Sequence, residues 1–171
     1  MRTAATEAGT QEGFAALFDE SFETMKRLAF LLGADDPENI AQESFVRLHA
    51  RWHTLAGPDK ALPYLRRIVV NLCRTRLRHL RVVRRVPDDP PAPGISAEAE
   101  VLTRLEHGSL RTALAALSER QRRVLVLRYW LDLDHAEIAE TLGIAVGTAK
   151  ATVHQALARL RKVWPDEEDT R

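Results

Sequence analysis

The chain has 171 residues, 45% hydrophobic and 29% charged, which allows a packed core and excludes wholesale disorder. A single cysteine, Cys73, excludes an intrachain disulfide and is typical of a reducing compartment. No apolar run reaches the length of a membrane span, and residues 1–13 lack a signal-peptide core, so we predict a soluble cytoplasmic protein without direct membrane insertion.

The net charge of +1 hides an uneven distribution along the chain. Residues 1–50 contain nine acidic and four basic side chains, whereas residues 60–87 contain one lysine, eight arginines and no acid. The tail after Trp164 is acidic again. Because the local field attracts phosphate more than the net charge does, the central basic stretch is a candidate nucleic-acid surface.

The first two helices follow from apolar periodicity and from one cap. After frayed residues at 1–10, apolar residues at helical spacing predict a helix from Gln11 to about Gly33. The segment Asp36-Pro37-Glu38 starts a second helix that runs to about His53, because it places a cap, a first-turn proline and an acid at the positive end of the dipole. Its predicted buried residues are Ile40, Ala41, Phe45, Leu48 and Trp52. Its other face presents Asn39, Gln42, Glu43 and Arg47.

A basic third helix is predicted from Pro63 to about Arg85, with its apolar residues inward. Its arginines are Arg66, Arg67, Arg74, Arg76, Arg78, Arg81, Arg84 and Arg85. Like charges at helical spacing destabilise a helix, so stability does not explain why so many arginines stand here. Contact with a phosphate backbone would explain them. Tyr64, Trp52 and His53 could stack on unpaired bases nearby. The alternative is a solvated basic face.

The segment VPDDPPAPGIS marks a domain boundary, since four prolines and a glycine cannot sustain a helix or a central strand. Beyond it, Ser96 can cap a helix from Ala97 to about Ala116, and a Ser118 capping box starts another that ends near Trp130. The predicted fold class is therefore all-α: two small helical domains, 10–86 and 97–163, joined by a Pro-rich linker at 87–96.

The stretch from Asp134 to Lys162 predicts a helix-turn-helix. A capping box starts its first helix, and Gly143 supplies the left-handed residue that ends it. The predicted buried stripe of the second helix is Val146, Ala149, Val153, Ala156, Leu157 and Leu160. Its opposite face carries Thr148, Lys150, Thr152, His154 and Gln155, with no acid among them. Such a face is typical of a helix that enters the DNA major groove, and the alternative is an ordinary helical hairpin in an all-α core.

Motifs for enzymatic chemistry are absent from the sequence, and no cofactor is predicted. His49 and His53 have a spacing that could share a metal ion, but no cysteine or acid stands at ligand spacing beside them, so surface or stacking roles are favoured over a metal site. Cys73 is interpreted as a small buried hydrophobe, with a redox role as the alternative because neighbouring arginines could lower its pKa.

Three stretches together resemble the extracytoplasmic-function (ECF) sigma factors, and more narrowly the actinobacterial sigma-E-like group. They are FAALFDESFETMKRLAFLLGADDPENIAQESFVRLHARW, PYLRRIVVNLCRTRLRHLR and ALSERQRRVLVLRYWLDLDHAEIAETLGIAVGTAKATVHQALARLRK. The resemblance covers residues 12 to 163 and implies an alternative sigma factor. Region 2 would bind the clamp helices of core RNA polymerase and the promoter −10 element, and region 4 would bind the −35 element and the polymerase flap.

The resemblance also implies roles for individual residues. Gln42 and Glu43 match clamp contacts, together with Asn39, which stands where the family usually has Asp. The loop from Gly57 to Ala61 belongs to the implied −10 surface, whose helical members are Tyr64, Arg66, Arg67, Asn71, Arg74 and Arg78. The implied −35 readers are Thr148, Lys150, Thr152, His154 and Gln155. Thr152 and Gln155 replace arginines of the family motif GTVKSRLHRA, which leaves the preferred −35 sequence open.

The resemblance implies core polymerase and promoter DNA as partners, and an anti-sigma factor as a further one. The runner-up function is a transcription regulator that uses the same helix-turn-helix without polymerase. Such regulators usually dimerise to read two half-sites, and no heptad seam for a dimer is evident, so we predict a monomer. The third hypothesis is an enzyme, which the absence of enzyme motifs disfavours.

Overall fold

The computed structural model describes residues 2–55, 58–83 and 110–164, with side chains for residues 11–55, 59–79 and 110–164. Its helices are α1 (Arg2–Leu31), α2 (Pro37–Arg51), α3 (Ala61–Val83), α4 (described over 110–115), α5 (Glu119–Leu125), α6 (His135–Leu142) and α7 (Val146–Val163). Short 3-10 turns occupy Trp52–Thr54 and Pro58–Lys60, and a π-helical turn at Val126–Trp130 extends α5. No strand occurs in these described ranges, so the all-α prediction is confirmed.

Three helix boundaries differ from the predictions. Helix α1 begins at Arg2, so residues 2–10, which were expected to be frayed, are helical. Helix α2 ends at Arg51 and continues as a 3-10 turn to Thr54. Helix α3 begins at Ala61, two residues before Pro63. A proline is tolerated there because the first-turn N–H groups have no intrahelical partner in any case.

Aromatic packing holds α2 against α1. The ring of Phe45, which is 2% exposed, lies 4.8 Å from the Phe18 ring and 6.1 Å from the Phe14 ring. The α2 cap forms as predicted, since the Asp36 carboxylate accepts a hydrogen bond from the backbone N–H of Asn39 at 3.2 Å. The cap and the aromatic cluster fix the start of α2 and its rotation, which decides the side chains that it presents to solvent.

The buried residues of both halves form one continuous core cluster. Helix α3 packs against α6, and the π-helical turn packs against α1. The predicted linker at 87–96 and the predicted helical residues 97–109 lie outside the described residues. The division into two domains therefore stays a prediction, while the described parts of the two halves pack directly on each other.

Cys73 is 2% exposed, and burial raises the pKa of its thiol to about 12. The interpretation as a buried hydrophobe is confirmed, and the premise of the redox alternative is wrong because burial raises this pKa and the neighbouring arginines do not lower it. We therefore expect a thiol-reactive dye to leave the native protein unmodified at mildly alkaline pH and to label it fully in denaturant. Fast labelling of the folded chain would contradict this burial.

Candidate nucleic-acid interface

The helix-turn-helix has the predicted local geometry. The Asp134 side chain accepts from the Glu137 N–H at 2.8 Å, and the Glu137 carboxylate accepts from the Asp134 N–H at 2.8 Å, which completes the capping box. Gly143 ends α6 in the left-handed region at φ 65°, where a side chain would be strained. At the start of α7, Ala145 provides no side-chain cap. Exposed amides therefore remain at the end of α7 that an approaching phosphate would meet.

The exposed face of α7 is centred on Gly147, Ala151 and Gln155, which are all exposed. Lys150 and His154 flank this line on one side and are also exposed, while Thr148 lies half-buried on the other side. No acid stands on this face, so Lys150 makes it positive. Four of the five predicted −35 residues therefore share one accessible surface.

Thr152 does not lie on that surface, and the prediction that it belongs to the exposed face is wrong. Its side chain is 7% exposed, and its hydroxyl donates to the backbone carbonyl oxygen of Thr148 at 2.7 Å. Helix α7 packs against α5, and this packing encloses a wider part of α7 than its apolar residues alone indicate. Val146, predicted to be buried, is 51% exposed at the first position of the helix.

Basic and polar residues form a continuous line along one side of α3. Its members recur at steps of three and four residues and so share one side of the helix; they are Tyr64, Arg67, Asn71, Arg74 and Arg78. The four after Tyr64 are exposed, and Tyr64 is half-buried. The structure thus brings together five of the six helical residues predicted for the −10 surface, and we call this set the α3 stripe.

Arg66 lies on a different side of α3, the side that carries the buried Val70 and Cys73. Burial lowers the pKa of the Arg66 guanidinium, and the charge of Glu137 partly offsets this effect. Within the described structure, the Arg66 Nε atom is buried without a hydrogen-bond partner. Arg66 therefore faces α6, and the prediction that it shares one surface with the other −10 residues does not match this packing.

The predicted polymerase-binding residues lie on the outer side of α2. Asn39 and Gln42 are exposed, and Glu43 is half-buried. The Glu43 carboxylate pairs with the Arg47 guanidinium at 2.6 Å, a contact that the sequence analysis did not anticipate. Such an exposed i, i+4 pair contributes little to stability but restricts the orientation of the carboxylate.

Neither a metal cluster nor a membrane span is found in the described residues. They contain no group of three or more potential metal-ligating side chains and no helix long and apolar enough to cross a bilayer. The His49 ring packs edge-on against the Phe14 ring at 4.8 Å, so it extends the aromatic cluster. A stacking role for His49 fits this contact.

Comparisons with known proteins agree with the geometry. The family model described as "Sigma-70, region 4" matches residues 107–160, which include α6 and most of α7. The chain is 35% identical over 127 residues to the RNA polymerase sigma-E factor of Streptomyces avermitilis, a match covering 74% of this chain and 70% of that protein. It is 28% identical over 177 residues to the ECF RNA polymerase sigma factor SigW of Bacillus subtilis, a match covering 92% of each.

Two solved structures share the fold. CnrH, solved in complex with the cytosolic domain of CnrY, has a TM-score of 0.68 at 25% identity over 94% of this chain and 92% of that one. RpoE, solved with the anti-sigma factor NepR from Bartonella quintana, has a TM-score of 0.64 at 20% identity over 88% of this chain and 95% of that one.

The helix-turn-helix half is therefore a sigma-70 region 4 domain, a class of domain that takes part in promoter recognition. The chain as a whole belongs to the ECF sigma factors and, within them, to the sigma-E-like group. It is an alternative RNA polymerase sigma factor, and its function is promoter recognition for transcription initiation.

Proposed function

We propose that the α3 stripe reads the promoter −10 element and that the exposed face of α7 reads the −35 element. The observation that carries the proposal is the acid-free face of Lys150, His154 and Gln155 inside the matched region 4. The α3 stripe adds a second surface of exposed arginines, with Tyr64 at one end for stacking on an unpaired base. Two separated basic surfaces suit two separated promoter elements.

Residues 10–86 correspond in this proposal to sigma region 2, residues 87–96 to the linker and residues 97–163 to region 4. Asn39, Gln42 and Glu43 bind the clamp helices of core RNA polymerase, and region 4 also binds the flap. The protein works as a monomer, because polymerase supplies the second anchor on DNA. It acts as a regulatory protein rather than as an enzyme. It acts in the cytoplasm, where core polymerase and promoter DNA are found.

We also propose that a partner of the anti-sigma kind silences this protein. CnrH, which is 25% identical to this chain, was solved with a bound partner domain. A partner that covers both halves could hold region 4 against region 2. Affinity capture from the source cell tests this: recovery of a stoichiometric partner besides polymerase is expected, and recovery of polymerase alone would contradict it.

The deciding experiment for the proposed function is reconstituted transcription. With core RNA polymerase and a library of candidate promoters as template, the purified protein should give promoter-specific transcripts. Core polymerase without the protein should give none. Free protein should bind the same DNA weakly, with a steep salt dependence from counterion release. Tight, specific and salt-insensitive binding by the protein alone would favour a polymerase-independent regulator.

Charge reversal at Glu43 tests the polymerase contact. Glu43→Lys removes the pair with Arg47 and one interfacial carboxylate, so we expect core-polymerase binding to weaken by about 1–2 kcal/mol with the fold intact. The matched control is Glu23→Lys, which breaks a similar exposed pair, Glu23–Lys26 at 2.8 Å, on α1. Titration of labelled core polymerase measures both variants. Equal affinities would show that Glu43 lies outside the interface.

A further inference from the structure

An apolar cavity of about 350 Å³ lies between α1, α4, α5 and α7, on side chains to which the proposed function gives no role. Every residue that lines it is leucine, valine or aromatic. Both halves of the chain contribute, with Leu31 from α1, Leu110 from α4 and Leu157 from α7. Protein interiors rarely leave a void of this size, whereas small-molecule sites begin at about 300 Å³. The cavity is therefore a candidate ligand site.

Two exposed aromatic residues border the cavity. Tyr129 and Trp130 line it, and their exposed fractions are 62% and 46%. Both belong to the π-helical turn at Val126–Trp130, and such turns, which are rare overall, occur often at functional sites. Large aromatic surface left in water next to an apolar cavity is unfavourable and marks a binding surface. An apolar ligand in the cavity would cover this surface.

Two guanidinium groups stand at the edge of the cavity. The Arg27 Cζ atom lies 5.8 Å from the centroid of the Trp130 ring and 5.3 Å from that of the Phe30 ring. Arg111 follows the lining residue Leu110, and its Cζ atom lies 4.9 Å from the Phe30 centroid. In the part of the chain described with side chains, neither arginine has an ion-pair partner. Because both positive charges lie beside one aromatic ring, an anion between them would be stabilised.

We propose that the cavity binds a medium-chain fatty acid, with its alkyl chain against the apolar lining and its carboxylate between Arg27 and Arg111. The alkyl chain matches a lining of aliphatic and aromatic side chains, and the carboxylate matches the two cations at the edge. A protein helix fits less well, since one turn occupies roughly 400–600 Å³ and could not enter the cavity. A neutral apolar ligand would leave the two cations without an anion. The inference goes beyond the proposed function, which needs only DNA and polymerase.

Isothermal titration calorimetry of the full chain with octanoate, decanoate and decan-1-ol, each below its micelle or solubility limit, tests the proposal. Decanoate should bind with one-to-one stoichiometry. Its affinity should exceed that of octanoate by about three- to fourfold for each added methylene group, because each methylene enters the apolar cavity. Decan-1-ol should bind about three- to tenfold more weakly than decanoate, because its head group carries no charge. Nonspecific apolar adsorption would give the opposite order, since it favours the neutral alcohol.

Variants separate the charged edge from the apolar lining. Arg111→Gln should weaken decanoate binding about three- to tenfold and leave decan-1-ol binding unchanged, because it removes only a charge at the edge. Arg51→Gln removes another exposed arginine, on α2, and as the matched control should change neither. Leu157→Trp fills the cavity and Trp130→Ala removes one of its walls, so each should weaken both ligands about tenfold or more. Urea midpoints show whether each variant is folded. Trp130→Ala, at an exposed position, decides the matter if Leu157→Trp does not fold.

The proposal is overturned if decanoate fails to bind, or if its binding survives both Leu157→Trp and Trp130→Ala. Equal affinities for decanoate and decan-1-ol, unaffected by Arg111→Gln, also overturn it, because the cavity would then take up apolar compounds without an anion site. A second copy of the chain as the occupant would give a dimer in analytical ultracentrifugation that Trp130→Ala dissociates, with no decanoate bound. A polymerase segment as the occupant would make Trp130→Ala assemble less well with core polymerase, again with no decanoate bound. Either of these occupants overturns the proposal.

Discussion

Replacing Phe45 with alanine is expected to lower the free energy of unfolding by about 3–5 kcal/mol. The side chain is 2% exposed, and its ring is the common neighbour of Phe14, Phe18 and Phe22, the last at 6.0 Å between centroids. Truncation removes apolar contact area and leaves a cavity between α1 and α2 that rigid helices cannot close. Urea denaturation followed by circular dichroism measures the loss.

The matched control is Val46→Ala, the next residue on the same helix, which is 69% exposed. Its effect should stay within about 0.5 kcal/mol, as for most surface substitutions. Since α2 carries Gln42 and Glu43, the Phe45 variant should also bind core polymerase less well, in proportion to its unfolded fraction. Equal urea midpoints for the two variants would mean that the aromatic cluster does not hold α2 in place.

The parts of the fold that sequence predicts best are those set by neighbouring residues. The Asp134 capping box needs only a side chain and an amide three residues away. The end of α6 needs only a residue that adopts a left-handed backbone, which Gly143 provides. The capping box and the Gly143 turn were predicted correctly because no distant contact competes with them. The α3 stripe was not predicted as one face, because its arginines were grouped by charge, although helical spacing places Arg67, Asn71 and Arg74 on one side.

The features that sequence analysis missed depend on contacts between distant segments. Arg122 and Leu32 are 90 residues apart, and no local pattern indicates that one side chain would bind the other's carbonyl. Thr152 was assigned to the exposed face because its hydroxyl is polar, yet the Thr148 carbonyl satisfies that hydroxyl and packing of α5 against α7 encloses it. Arg66 was grouped with Arg67 for its charge, although α6 takes up that side of α3.

The recognition helix carries the prediction that departs most from the family motif. Lys150 lies near the α7 N-terminus, where the dipole and free amides favour phosphate, so Lys150→Ala should weaken use of all promoters. Gln155 lies at the centre of the exposed face, and glutamine suits adenine in the major groove, so Gln155→Ala should change base preference at one −35 position. Each lost base contact is expected to cost about 1–3 kcal/mol, and loss of both side chains together should cost more than either alone.

Transcription from a randomised −35 library by the wild type and each variant measures these effects. Thr152→Val serves as the control, because it keeps the side-chain shape and removes only a hydroxyl that already bonds to the Thr148 carbonyl. Its preference profile should match the wild type, whereas that of Gln155→Ala should not. An unchanged profile for Gln155→Ala would show that Gln155 positions the helix on the backbone. A changed profile for Thr152→Val would show that α7 repacks on DNA and turns this hydroxyl toward a base.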